Sequence, residues 1–378
     1  MHVRFLVGML DGTSGSGAYN KRLIEAFAAR GHQVSVIARQ RAALDGVTLH
    51  HLPPADYGNG LMWRMNLPLS LRRGARQVQR LDCRAPDVTI GSEHTFLRGH
   101  ARKFPGRPWV YFPHSYTYPD EIARFSTPGL HRRLSVRSAL GLQRWAVAHA
   151  DTTVRLSRSS AEGIMDRTGI TDPARFTIMP PATWATGSRR FRAADAPLRF
   201  LVAGALHESK RVSLVLHALL ALPADARWEC DIVGDGDERE ALEALAASAG
   251  RPLPIRFHGA QPDLTPFYRA ADVLLFPSRL EHAALVLMEA MVNGLPVLAL
   301  DSRTPGIQTA TNEIVDDGET GWLPRSDEQF IAMLHRLVAH PAMTDKPSDR
   351  AFEVAAKRFD FDRHVTRWEG ILGEALSR

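Results

Sequence analysis

Short apolar runs alternate with longer amphipathic stretches along the whole chain, and this alternation limits the possible folds more than any other feature. A strand of a parallel sheet is covered by helices on both faces, so its sequence is continuously apolar. The runs with this pattern are predicted strands at Val3–Gly8, Gln33–Ala38, Asp87–Ile90, Trp109–Phe112, Thr152–Leu156, Leu198–Ala203, Glu229–Val233, Ile255–His258, Val273–Phe276 and Pro296–Leu300. Strands that alternate with helices predict an α/β fold of parallel sheets with helices on both faces.

The chain is long for a single domain of this kind and divides into two predicted domains. Its 378 residues, 44% of them hydrophobic, suit two cores of about 190 residues each. The segment Gly187–Pro197 is polar, rich in arginine and without periodicity, which is typical of a linker. We therefore predict an N-terminal domain over 1–190, a second domain over 196–357 and a final helix over 360–378.

Cysteine content and hydropathy favour a cytoplasmic location. The two cysteines, Cys83 and Cys230, are too few and too far apart for a disulfide framework or a zinc site. A predicted strand begins at Val3, and no apolar stretch approaches the roughly 20 residues of a membrane span. We therefore expect a cytoplasmic protein with buried thiols.

Charge is distributed unevenly between the two halves. Residues 1–195 hold 28 Lys and Arg against 14 Asp and Glu, whereas residues 196–378 hold 19 against 27. This asymmetry predicts that the first half faces an anionic substrate or surface. Arginines recur near helical spacing at Arg72, Arg73, Arg76 and Arg80, and again at Arg132, Arg133, Arg137 and Arg144. The segment Leu130–Ala150 also carries an apolar stripe, so it is predicted either to lie on a membrane surface or to be an ordinary solvated helix.

Two glutamates flank a short apolar run in the segment Arg279–Pro296. Glu281 follows the predicted strand Val273–Phe276 in a loop, and Glu289 lies in the helix that comes next. In an open α/β sheet, ligands bind at the carboxyl ends of the strands, and the N-terminus of the following helix offers N–H groups to a phosphate. The segment therefore predicts a ligand site at this edge of the sheet.

Glu281, Glu289, Gly294 and Pro296 resemble the Glu-x7-Glu element of the retaining glycosyltransferases of family four, which have the GT-B fold. Further segments resemble the same family in the same order, namely Phe200–Lys210, Ile232–Gly236 and Asp316–Gly321. The resemblance covers nearly the whole chain. It implies two Rossmann-like α/β/α domains with parallel sheets facing across a cleft. The domain over 1–190 would lie on the acceptor side, completed by the helix over 360–378, and the domain over 196–357 would bind the nucleotide-sugar donor.

The resemblance also implies roles for three charged residues. Lys210 would place a positive charge at the donor diphosphate, where the leaving group gains negative charge. Glu289 would accept hydrogen bonds from the ribose hydroxyls, and Glu281 would lie beside the donor sugar and its anomeric carbon. Each also has a plain structural explanation, as a surface lysine or as a carboxylate stabilised by a helix N-terminus.

The chain departs from the family pattern at two places. Ala205 stands where the family usually has an arginine, and Arg211 is the candidate to supply the missing guanidinium. Ala283 and Ala284 stand where the family has an aromatic residue and a glycine whose backbone N–H groups contact the sugar, and those backbone donors remain. Further donor contacts are implied at Gly15, Ser16, Gly17, Gly204, Gly234, Gly236, His258, Gly259 and Leu285.

Two histidines follow predicted strands of the first domain. His114 matches a family histidine that contacts the donor sugar and lies near the acceptor. His94, also at a strand end, is predicted to line the acceptor pocket. For both, the alternative is a histidine with a purely structural role.

No metal site is expected from the sequence. Asp235-Gly236-Asp237 has the form of a metal-binding Asp-x-Asp, but it follows a strand and precedes a helix, so a turn and a helix cap explain it. His207-Glu208 lacks the second histidine of a zinc protease motif.

Together these features predict a retaining, metal-independent glycosyltransferase that moves a sugar from a UDP- or GDP-sugar to a glycan, lipid or small-molecule acceptor. No cofactor and no nucleic acid partner are expected, while peripheral contact with an anionic membrane stays open. Two alternatives remain. A sugar-nucleotide epimerase of the same fold would need acid and base residues that act on the sugar ring. A nucleotide-sugar-binding protein without turnover is favoured by Ala205 and by Ala283-Ala284.

Overall fold

The computed structural model describes residues 1–8, 10, 15–53, 67–114, 130–180, 182–183, 195–281 and 284–378. The chain divides into two compact units, Met1–Met179 with Asp362–Arg378, and Pro180–Phe361. Each unit is built on one parallel sheet with helices between its strands, so the predicted α/β class is confirmed. Most of the predicted linker and the predicted donor residue Ala283 lie outside the described residues.

The first unit holds a seven-stranded parallel sheet. Its strands are β1 (His2–Val7), β2 (Gln33–Ala38), β3 (Val47–His51), β4 (Val88–Gly91), β5 (Trp109–Tyr111), β6 (Thr152–Arg155) and β7 (Phe176–Ile178). The helices among them are α1 (Gly15–Ala29), α2 (Leu67–Arg80), α3 (His94–Lys103), α4 (Leu130–His149) and α5 (Arg158–Thr168). The strand order is β3-β2-β1-β4-β5-β6-β7. The order reverses between β1 and β4, the position at which α/β sheets form a ligand crevice.

The second unit holds a six-stranded parallel sheet. Its strands are β8 (Leu198–Ala203), β9 (Trp228–Val233), β10 (Ile255–Gly259), β11 (Val273–Phe276), β12 (Val297–Ala299) and β13 (Gly321–Trp322). Its helices are α6 (Val212–Leu220), α7 (Arg239–Ala247), α8 (Thr265–Ala270), α9 (Leu285–Val292), α10 (Thr311–Ile314), α11 (Asp327–Ala339) and α12 (Asp345–Arg358). The order is β10-β9-β8-β11-β12-β13, so the corresponding reversal lies between β8 and β11.

Burial on both faces explains why the strands are continuously apolar. Successive side chains of a strand point to opposite faces of the sheet. In β8, Phe200 belongs to the apolar cluster on one face and Leu201 to the cluster on the other. In β11, Leu275 and Phe276 divide in the same way. A polar residue at any of these positions would lie in a core.

The ten predicted strands are all present within one residue of their predicted bounds, but β3, β7 and β13 were not predicted. These three lie at sheet edges, where a strand has one neighbour only. Most side chains of β3 and all those of β7 are half-buried, and β13 has two residues. An edge strand of this kind needs no continuous apolar run, so the pattern used for prediction does not detect it.

The C-terminal helix α13 (Phe361–Ser377) packs onto the first unit. Trp368 is fully buried, and its Nε1 donates to the Tyr19 hydroxyl of α1 at 3.1 Å. The same hydroxyl contacts His364 Nε2, and the Trp368 ring meets Phe112 edge-on at 4.9 Å. The C-terminal helix therefore contributes to the core of a unit whose other residues are Met1–Met179. In the part of the chain that the structure describes, no helix is long and apolar enough to cross a membrane.

Gly234→Ala is expected to lower the free energy of unfolding by about 3 kcal/mol or more. Gly234 has a φ of +146°, and a Cβ there would lie 1.8 Å from the Gly204 carbonyl oxygen, so backbone would have to move. Gly373→Ala is the control, because nothing lies within 4 Å of its Cβ position in α13 and alanine suits an exposed helix. Urea denaturation of both variants measures the difference, and equal midpoints would contradict the prediction.

Candidate active site

The carboxyl ends of β8, β9 and β10 meet at a set of glycines, here called the glycine corner: Gly204, Gly234, Gly236 and Gly259. Gly204 N donates to the Val233 carbonyl at 3.0 Å, and Gly234 N donates to the Gly259 carbonyl at 2.8 Å. Gly204 and Gly234 have φ values of +138° and +146°, which residues other than glycine rarely adopt. A Cβ on Gly236 would lie 2.3 Å from a carbonyl oxygen of the loop after β8. The predicted glycines therefore lie together. Backbone atoms fill the Cβ positions of Gly234 and Gly236, so these two glycines let the strand-end loops pack closely, whereas the Cβ position of Gly204 has nothing within 4 Å.

Lys210 and Glu281 lie in different loops and form an ion pair. The loops are joined by a hydrogen bond in which Arg279 N donates to the Ser209 carbonyl at 2.8 Å. Lys210 Nζ contacts Glu281 Oε1, and the two side chains are 23% and 21% exposed. Burial lowers the pKa of the Lys210 ammonium to about 8. The structure thus brings two of the predicted catalytic residues together at the carboxyl edge of the second sheet.

Glu289 lies on α9, one turn after Leu285, the first residue of that helix. Residues four apart share a helix face, so the Glu289 side chain lies on the same face of α9 as Leu285. The Tyr268 hydroxyl of α8 donates to Glu289 Oε2 at 2.7 Å. Burial raises the pKa of Glu289, and the hydrogen bond from Tyr268 opposes that rise. Ala284 precedes the helix and provides no side-chain cap, so the first N–H groups of α9 suit an anion.

Arg211, the candidate to replace the guanidinium missing at Ala205, has a protein partner. Its Nη2 contacts the Asp327 carboxylate at the start of α11. Among the described residues, Arg211 is the one non-glycine with a positive φ, at 54°, so the chain bends sharply between Lys210 and α6. A contact between Arg211 and the donor would therefore compete with Asp327.

His258 lies at the end of β10, beside the glycine corner. Its Nε2 lies 2.7 Å from Asp231 Oδ1 on β9, and its ring meets Phe267 edge-on at 4.8 Å. The side chain is 29% exposed. The imidazole is therefore anchored on one edge while part of it remains accessible.

The Asp-x-Asp segment forms a turn, as predicted. Asp235 Oδ1 accepts from Gly236 N at 2.8 Å, and Asp235 Oδ2 accepts from Arg239 at 3.1 Å. The predicted helix cap is wrong, because α7 begins at Arg239 after Glu238, which makes no side-chain cap. Within the described ranges, no group of three or more His, Cys, Asp or Glu side chains is arranged to hold a metal ion.

The two predicted histidines of the first unit lie at strand ends and are neutral. His114 Nε2 lies 2.7 Å from Asn20 Oδ1 of α1, and its ring packs on Phe112 at 4.7 Å. His94 is the first residue of α3, after β4. Burial lowers the pKa of His114 to about 3 and that of His94 to about 4. At physiological pH both rings are therefore neutral, and His114 uses its neutral ring to hydrogen-bond Asn20.

Two further features lie at the same edge of the first sheet. The predicted residues Gly15, Ser16 and Gly17 form the first turn of α1. Glu93, which the sequence analysis missed, precedes His94, and a Cβ on Gly8 would lie 2.5 Å from its Oε1. Burial raises the pKa of Glu93. The signal was present in the sequence, because Glu93 is an acidic residue that closely follows a buried strand, as Glu281 is.

Two family models match the chain. Residues 13–183 match the model described as Glycosyltransferase Family 4, and residues 188–354 match Glycosyl transferases group 1. A D-inositol 3-phosphate glycosyltransferase from Nocardiopsis dassonvillei is 28% identical, over 91% of this chain and 87% of that protein. Two other curated glycosyltransferases align over 40% and 46% of their own lengths, so the chain matches less than half of each.

Solved structures share the fold at low sequence identity. Sucrose-phosphate synthase from Thermosynechococcus elongatus has a TM-score of 0.80 at 17% identity, over 100% of this chain and 99% of that one. HepE from Anabaena, in complex with UDP and glucose, has a TM-score of 0.74 at 16% identity, over 99% and 100%. Between them the two family models span nearly the whole chain, and the two parallel sheets are those of the GT-B fold. The chain belongs to glycosyltransferase family 4, the glycosyl transferases group 1, with the GT-B fold.

Proposed function

We propose that the protein is a retaining, metal-independent glycosyltransferase that uses a UDP-sugar as its donor. The observation that carries the proposal is that the Lys210–Glu281 ion pair and the helix bearing Glu289 follow the neighbouring strands β8 and β11, at the carboxyl edge of the sheet that also holds the glycine corner. HepE, a protein of the same fold, was solved in complex with UDP and glucose, which supports UDP over GDP.

The second unit offers a separate group for each part of such a donor. Lys210 and the first N–H groups of α9 suit the diphosphate. Glu289 suits the ribose hydroxyls, because an ionised carboxylate accepts hydrogen bonds. Glu281 is proposed to lie beside the donor sugar, and the partly exposed His258 beside the base.

In the proposed reaction, the bond between the anomeric carbon and a diphosphate oxygen breaks while an acceptor oxygen bonds to the same carbon from the same face. The acceptor proton passes to the departing phosphate oxygen. Negative charge grows on the diphosphate as the bond breaks, and a buried ammonium with oriented N–H groups stabilises that charge. Lys210 would supply the positive charge that a divalent ion supplies elsewhere, which is why the proposal is metal-independent.

A nucleotide-sugar-binding protein without turnover is the second candidate. One observation favours it: Ala205 lacks a guanidinium, and Arg211 is held by Asp327, which leaves Lys210 as the main cation of this loop. Such a protein would bind the donor and release neither free nucleotide nor glycosylated product. An epimerase, by contrast, would release nucleotide without an acceptor product.

A UDP-sugar at about one hundred times its dissociation constant should raise the free energy of unfolding by roughly 2.7 kcal/mol. Thermal-shift assays with UDP-, GDP-, ADP- and TDP-sugars measure this effect. Lys210→Ala and Glu289→Ala should abolish the shift, whereas Lys346→Ala, at an exposed position on α12, should retain it. Stabilisation by only one of the other nucleotide sugars would mean that the donor carries that base and not uracil. No stabilisation by any of the four would contradict the donor site.

The kcat/KM for the donor should fall as the pH rises through about 8, because burial lowers the pKa of Lys210 to about 8 and the ammonium must be protonated to attract the diphosphate. Lys210→Arg keeps its charge throughout this range, so its alkaline fall should move to higher pH even if its overall rate is lower. The pH–rate profiles of both proteins test this. An unchanged alkaline fall in the arginine variant would assign the titration to another group.

We further propose that the first unit faces an anionic acceptor or an anionic surface. On α2, Arg76 and Arg80 are exposed while Val78 is buried. In the apolar stripe of α4, Leu142 and Val147 are buried and Val136, Leu140 and Trp145 are half-buried, while Leu134 is 45% exposed. The relative from Nocardiopsis is named for a phosphate-bearing acceptor, D-inositol 3-phosphate. Basic exposed helix faces suit an acceptor of that charge.

If the surface is a membrane, Arg76→Glu with Arg80→Glu should weaken co-sedimentation with phosphatidylglycerol vesicles by roughly tenfold to a hundredfold, since each basic residue near such a surface contributes about 1 kcal/mol. Arg41→Glu with Arg107→Glu changes the net charge equally at other exposed sites and should have a smaller effect. Equal losses would assign binding to net charge rather than to α2. Absence of wild-type binding would contradict the membrane form of the proposal.

A further inference from the structure

The Glu289 side chain has one hydrogen-bond donor among the described residues, the Tyr268 hydroxyl. The bond runs from that hydroxyl to Glu289 Oε2 at 2.7 Å. Asn293, on the same helix, donates to the Glu289 backbone carbonyl and does not reach the carboxylate. The orientation of this carboxylate therefore depends on a residue of a different helix, α8.

Tyr268 is placed to act as a fixed donor. Its side chain is 3% exposed and packs in the apolar cluster that also contains Leu201, Val233 and Met288. Burial and the neighbouring carboxylate raise the pKa of the phenol well above its usual value, so the hydroxyl keeps its proton at any physiological pH. Because the ring is held by the core, the hydroxyl has little freedom to leave Glu289.

The two oxygens of Glu289 have different environments. Tyr268 occupies Oε2. Oε1 has no partner among the described residues and is not among the fully buried unpartnered atoms, so it reaches the surface of the site. A carboxylate oxygen held in this way is an acceptor for one hydroxyl of a ligand.

We propose that Tyr268 is a positioning residue that holds Glu289 so that its Oε1 accepts a hydrogen bond from one ribose hydroxyl of the nucleotide donor. This inference rests on the proposed function. It makes Tyr268 the residue on which discrimination between ribonucleotide and deoxyribonucleotide donors depends. A polar site built for a hydroxyl rejects an analogue that lacks it, because the carboxylate would then be left without a partner.

The loss of nucleotide affinity at low pH gives a second, independent test of the role of Tyr268. Burial raises the pKa of Glu289, and among the described residues the hydrogen bond from Tyr268 is the one interaction that opposes the rise. No charged side chain of the adjoining helix α12 (345–358) shifts it. Removal of the hydroxyl should therefore raise the pKa of Glu289 further. Nucleotide affinity should then be lost at a higher pH on acidification than in the wild type.

Tyr268→Phe keeps the ring and removes only the hydroxyl, so it tests the proposal without opening a cavity. Calorimetric titration with UDP, GDP and their 2′-deoxy and 3′-deoxy forms compares the wild type, Tyr268→Phe and Glu289→Gln. We expect the wild type to prefer the ribonucleotide by roughly tenfold or more over one deoxy form. Tyr268→Phe should weaken binding of the ribonucleotide about tenfold and leave that deoxy form within about twofold.

Tyr111→Phe is the matched control. Tyr111 is fully buried in the first unit, and its hydroxyl accepts from Gln143 at 3.4 Å, so the change removes a buried phenol hydroxyl that does not hydrogen-bond Glu289. It should leave nucleotide affinity and its pH dependence unchanged.

Each outcome separates the inference from the proposed function. Equal weakening of all forms by Tyr268→Phe, with no shift of the acid limb, would mean a general structural role and would overturn the inference. Unchanged binding would overturn it as well. A wild type that binds none of these nucleotides would overturn the proposed function itself, and the inference with it.

Discussion

The candidate donor site depends on how closely the backbones of β8 and β9 approach as they leave the sheet. Gly204 and Gly234 pack with no room for a Cβ between them. The loop after β8 can then reach β11, where the hydrogen bond between Arg279 N and the Ser209 carbonyl fixes it and places Lys210 beside Glu281. A side chain at Gly234 or Gly236 would push the loop outward, so the placement of charge follows from a constraint on the backbone.

The pairing of Lys210 with Glu281 has a consequence for the proposed chemistry. A diphosphate that approaches Lys210 shares the ammonium with a fixed carboxylate, so the ground-state attraction is smaller than that of an isolated lysine. During bond cleavage the charge on the diphosphate grows while that of Glu281 stays constant. The ammonium is then drawn more strongly to the leaving group. An interaction that strengthens only in the transition state accelerates the reaction, whereas uniform binding does not.

The sequence predicted the fold class and ten strands because strands covered on both faces are apolar at every position. It also identified Lys210, Glu281 and Glu289, because each belongs to a short sequence segment that resembles the family. It did not reveal that Arg211 contacts Asp327 or that Tyr268 holds Glu289, because these partners are 116 and 21 residues apart and meet only when separate helices pack. Local sequence patterns thus identified the candidate site residues, whereas the partners of Arg211 and Glu289 are determined by tertiary packing.

The strand-end groups of the first unit are poor candidates for a general base in the proposed reaction. Burial keeps the pKa of His114 at about 3, so its imidazole is far too weak a base to take a proton from a hydroxyl. A fixed carboxylate such as Glu93 has the same basicity throughout the reaction. The departing phosphate oxygen differs, because it gains charge and basicity as its bond to the anomeric carbon breaks. In the proposed reaction, the proton is therefore best transferred to the leaving group itself, late in bond cleavage.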